Sequence, residues 1–194
     1  MLLPVVAIQV YFLIVPYDRP RWLDVVLGAA LLAVLAPLFG RHVSFRTLGL
    51  TGIDVHRQAL LPVGAVTLAG VLLLLTLGSA FGLLRMDWDI GPALLTYPIW
   101  AAAQVAWVLG IALPRVAALS GEQNAPLVTA LLFAAVHLPN PVLTIGGGLM
   151  MYCFARIWRR HPALLVFALG HGVIGAVCNK ALVVSMRIGM MYFE

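Results

Sequence analysis

Charge is what this sequence lacks most. Only 10% of its 194 residues are Asp, Glu, Lys or Arg, against 63% hydrophobic, and the mean hydropathy is +1.04. A soluble domain carries about 25% charged and about 45–50% apolar residues. So few charges cannot clothe a water-exposed surface of this size, which excludes a soluble domain and marks an integral membrane protein. Cysteine is nearly as scarce. Cys153 and Cys178 both fall in apolar stretches, where thiols read as buried hydrophobes and not as a disulfide or metal pair. Signatures of hydrolases and zinc enzymes are missing: there is no HExxH, no GxSxG, and neither Cys nor Asp at ligand spacing beside a histidine. No repeat, low-complexity tract or long linker divides the chain, so 1–194 reads as a single membrane domain.

What is present is a series of apolar segments. A helix needs roughly 20 apolar residues to cross about 30 Å of hydrocarbon. Suitable segments run at about 1–16, 23–39, 59–84, 94–118, 126–139, 142–158 and 163–184. The expected fold is therefore all-α, a polytopic transmembrane bundle of about seven spans, six to eight when short segments are allowed for. The opening MLLPVVAIQVYFLIVP lacks a basic start and a small-residue cleavage site, so it reads as a membrane segment. Basic residues collect in RHVSFR (41–46) and RIWRRH (156–161), with Arg57 and Arg115 in loops of the same parity. That pattern points to membrane lipids as partners and excludes nucleic acid; by the positive-inside rule it puts these loops and the N-terminus in the cytoplasm of a bacterial inner membrane.

Polar side chains at membrane depth raise a functional-site hypothesis by default. Three stand out. With a rise of about 1.5 Å per residue, Gln104 lies about 15 Å along its segment, His137 about 16 Å and His171 about 12 Å. These depths bring all three near one mid-membrane layer. A lone membrane histidine also serves as an interhelical hydrogen-bonding group, worth about 0.6 kcal/mol. Two histidines leave a zinc ion half-coordinated, and Glu122 would join them only if the SGEQNAP turn folded into the bundle; no cofactor is expected.

The ordered motifs resemble a known family. FAAVH (133–137) matches the FxxxH motif of the CAAX protease and bacteriocin-processing (CPBP) family of intramembrane peptidases. QVAWVLGIALPRV (104–116) is similar to the family's first motif, with Gly110, Leu113, Pro114 and Arg115 in frame, and LGHGVIG (169–175) resembles the third, which contributes His171. The resemblance covers about 94–180 and implies a CPBP-like core, with Gln104, His137 and His171 as its site and a membrane-protein partner or peptide as its ligand. It also implies a departure. Gln104 and Val105 stand where paired glutamates belong, Leu109 where an arginine belongs, and Gly175 where Asn or Asp follows the last histidine. An amide cannot take a proton from water, and loss of a general base costs about 10²–10⁴ in rate. The resulting expectation is a peptidase-like protein of weak or lost glutamate-dependent activity that binds a membrane partner. Two alternatives stay open: an active endopeptidase in which His137 and His171 activate water, and a structural subunit of a larger membrane assembly whose histidines ligate a pigment or haem.

Overall fold

The computed structural model describes residues 44–50, 52–85, 90–138 and 140–182. The expected spans at about 1–16 and 23–39 lie outside the described residues. The remainder is all helical, with no strand among the described residues: α1 (Ile53–Ala80), α2 (Ile90–Ser120), α3 (Ala125–Ala135), α4 (Pro141–Trp158) and α5 (Leu164–Ala181). By length and apolar composition α1, α2 and α5 can cross a membrane. The 11 residues of α3 reach only about 16 Å, roughly half the hydrocarbon thickness.

Local chemistry sets the ends. Gly52, at φ 96°, opens α1, and Asp54 in the first turn complements the helix dipole. The helix closes in a Schellman motif: Gly82 has φ +67°, its N–H reaches Ser79 O at 3.2 Å, and Leu83 N–H reaches Gly78 O at 2.7 Å. Helix α1 therefore starts before the expected segment, taking His56, Arg57 and Gln58 into its first turns. In α2 the stretch Ala106–Ala112 is π-helical, and Leu113 N–H bonds Val108 O. Pro114 follows at once. Its ring has no N–H and crowds the carbonyl four residues back, and the wider π turns absorb that mismatch without breaking the helix.

Glycines bring α5 against two neighbours. A Cβ on Gly172 would lie 2.6 Å from the Cα, N and Cγ of Pro98 on α2. One on Gly170 would meet Thr67 Oγ1 of α1 at 2.6 Å. Small residues of this kind are how membrane helices gain van der Waals contact, since lipid offers no hydrophobic drive between them. More than half of α5's apolar window is buried (56%), against 6% for α1, so α5 is the central helix. The GGG run divides its work: Gly147 and Gly148 face Phe133 and Ala134 of α3, while a Cβ on Gly146 would have nothing within 4 Å.

One end of the bundle carries a cluster of basic residues. There Arg159 pairs with Glu122 at 2.8 Å, His161 Nδ1 meets Gln58 Oε1 at 3.2 Å, and Leu164 N–H bonds Leu48 O at 3.0 Å. These links gather the start of α1, the α2–α3 turn and the α4–α5 turn on one side. At the other end Arg85 N–H bonds Ala181 O at 2.8 Å.

Gly172→Ala should destabilise the bundle by about 1–3 kcal/mol through overpacking. Gly146→Ala should be neutral or stabilise by about 0.5–1 kcal/mol, because a solvent- or lipid-facing helical glycine only loses entropy. Thermal unfolding of the two variants in one detergent measures the contrast.

Candidate functional site

Gln104, His137 and His171 line one cavity of about 570 Å³. All five helices contribute walls, and the lining recurs at three- and four-residue spacing. Helix α2 supplies Tyr97, Trp100, Ala101 and Gln104; α5 supplies His171, Ile174, Gly175 and Cys178. Each set is a single helix face. Among the described residues no Asp, Glu, Lys or Arg belongs to the lining, which is mostly apolar with a few uncharged polar groups.

His137 sits in the turn that ends α3. Its Nδ1 lies 2.8 Å from Phe133 O, and since a carbonyl only accepts, Nδ1 donates its proton there. In the neutral ring Nε2 is then left with its lone pair. The FxxxH spacing explains the local geometry, because residues four apart share a helix face. Phe133 offers His137 both its carbonyl and its ring, with centroids 4.7 Å apart and a 52° tilt. The same ring meets His171 edge-on at 5.9 Å and 75°. Phe133 is thus the apolar spacer that sets both imidazoles, although the sequence marks it only as a motif letter. On α5, Nδ1 of His171 is buried and has no hydrogen-bond partner among the described residues.

The turn beneath His137 is held from the far side. Asn140, 1% exposed, caps α4, its Oδ1 accepting from Leu143 N–H at 3.1 Å, and its own N–H bonds His137 O at 2.9 Å. Pro141 opens α4 at its first position, where a missing N–H costs nothing.

Other positions named from the sequence fall elsewhere. Val105 and Leu109 are fully buried in the apolar core and do not line the cavity. Gly175 does line it, but a Cβ there would stand 2.8 Å from Tyr97 Cδ1, so an Asn or Asp would have to displace that ring. Glu122 is tied to Arg159 at the basic end and does not join the histidines. Among the described residues no cluster of three or more His, Cys, Asp or Glu can hold a metal ion. Cys153 and Cys178 are free thiols, and both line the cavity, as do Tyr97 and Trp100, none of which stood out in the sequence as a site residue. Tyr97 and Trp100 stand seven and four residues before Gln104, and Cys178 seven after His171, which was the available signal; Cys153, on α4, had none.

Comparison with protein-family models, curated proteins and solved structures finds no match for this chain. The site is therefore read from its own residues.

Asn140→Ala should cost about 1–2 kcal/mol through loss of the α4 cap. Asn140→Asp, which keeps the cap acceptor, should recover most of that stability. Melting temperatures of the two variants in matched detergent provide the check.

Proposed function

We propose that this is a CPBP-type, peptidase-like membrane protein whose intramembrane cavity binds a membrane-embedded partner and has weak or no glutamate-dependent proteolysis. The observation that carries this reading is the cavity lining: two imidazoles and the Gln104 amide face one space with no carboxylate among the described lining residues. The order of FAAVH, QVAWVLGIALPRV and LGHGVIG along the chain supports the family assignment. An amide holds and orients water but does not take its proton, so the chemistry that favours binding disfavours hydrolysis. About seven spans and a CPBP-like core at about 94–180 belong to the same proposal. So does the orientation, with Arg57, Arg115, Arg156, Arg159 and Arg160 facing the cytoplasm of a bacterial inner membrane.

A second reading has one observation of its own. His137 gives its Nδ1 proton to Phe133 O, which leaves Nε2 as an acceptor that could serve as a base for water. The readings part in a peptidase assay on protein reconstituted in liposomes, with wild type, Gln104→Glu, His137→Ala and His171→Ala. The binding reading expects no measurable turnover by wild type and a gain of at least about 10² in Gln104→Glu. Turnover by wild type that either histidine substitution abolishes would overturn it and establish the histidine-driven enzyme.

A further inference from the structure

The hydrogen-bonding pattern of the cavity selects its occupant. We infer that the cavity binds an uncharged, lipid-soluble alcohol: an alkyl chain lying along the helices with its hydroxyl seated between His137 and Gln104. This goes beyond the reading above and needs only the cavity, whether or not peptide bonds are cut.

Shape comes first. Lining residues run from Thr96 to Gln104 on α2, from Val142 to Cys153 on α4 and from His171 to Cys178 on α5. At about 1.5 Å per residue the cavity extends about 10–16 Å parallel to the helices, the shape of a single alkyl chain. Trp100, Gly146 and Leu149 line it and are exposed, so on that side no described helix closes it. Among the described residues the first half of α2 is not closely packed on α4, and the alkyl chain is taken to enter on that side.

Polarity then fixes the head group. With Nδ1–H committed to Phe133 O, the neutral His137 ring offers only an acceptor at Nε2. Gln104 can both donate and accept, and Nδ1 of His171 is buried and unpartnered among the described residues. A head that meets these groups must donate at least one hydrogen bond and accept another, which a hydroxyl does. A carboxylate or ammonium would meet no Asp, Glu, Lys or Arg among the described lining residues, so burying it there is costly. An extended peptide fits worse. The described walls are almost wholly helical, with backbone groups bonded internally, and among the described residues no strand edge is present to pair the peptide's own N–H and C=O groups.

The test uses full-length protein in phosphatidylcholine nanodiscs and a long-chain primary alcohol bearing a diazirine, with adducts mapped by mass spectrometry. The expected adducts fall on lining residues such as Met150 and Ile174 and are competed by dodecanol. Dodecyl methyl ether, which cannot donate, should compete about tenfold more weakly, the loss that follows from one buried acceptor left unmet. His137→Phe should erase the difference between the two competitors. Gly146→Phe, which adds a ring at the open mouth, should abolish the lining adducts while thermal stability is retained. Equal competition by ether and alcohol in the wild type would overturn the inference. Adducts confined to lipid-facing residues such as Leu61 and Leu165, or competition by an apolar peptide and not by dodecanol, would overturn it as well.

Discussion

The contact between Gly172 and Pro98 is the constraint on which the arrangement rests. Proline keeps α2 from bonding regularly at that level, and glycine lets α5 come in against its ring and backbone. With Gly170 seating α1 on another face, α5 becomes the post around which the other helices stand. Helices α3 and α4 close the far side as a hairpin, and the space left between is the cavity. The site is therefore a product of where helices can approach and where they cannot. Small residues on α5 tighten one half of the bundle; Gly146, which faces no neighbour, leaves the other half open.

Inside that space the chemistry is unusual for its neutrality. A membrane interior makes an unpaired charge costly, and the described lining residues include no Asp, Glu, Lys or Arg. It instead holds imidazole, amide, phenol and thiol groups on apolar walls. His137 is locked from two directions, by Phe133 through its ring and by Asn140 through its carbonyl. His171 is less constrained, since its Nδ1 has no partner among the described residues. One imidazole is preorganised and the other is unsatisfied, a pairing that suits recognition of a small neutral group better than activation of water.

Much of this was legible in the sequence. The helices from residue 53 onward follow the apolar segments, and Gln104, His137 and His171, singled out by depth alone, share one cavity. Polar residues stand out against a hydrocarbon background, which is why they were found. The apolar part of the site was not, because in lipid the outward and inward faces of a helix are both apolar and periodicity loses its contrast. Tyr97, Trp100 and Cys178 became site residues only once Gln104 and His171 marked which face turns inward. The π-helical stretch was likewise hidden, although Pro114 four residues after Gly110 is its cause. The start of α1 was misjudged because His56, Arg57 and Gln58 look like loop residues but occupy the helix's end.

The central claim is that side chains from α2, α3 and α5 meet in one intramembrane space. Paired cysteines test it most directly, in protein whose Cys153 and Cys178 have been changed to alanine, using a short homobifunctional thiol cross-linker in liposomes. Gln104→Cys combined with His171→Cys, and with His137→Cys, should give intramolecular cross-links in high yield. Gln104→Cys with Leu169→Cys, whose side chain faces outward from α5, should give none. Equal yields for all three pairs, or cross-linking only through Leu169→Cys, would contradict the shared cavity and with it the account built on it.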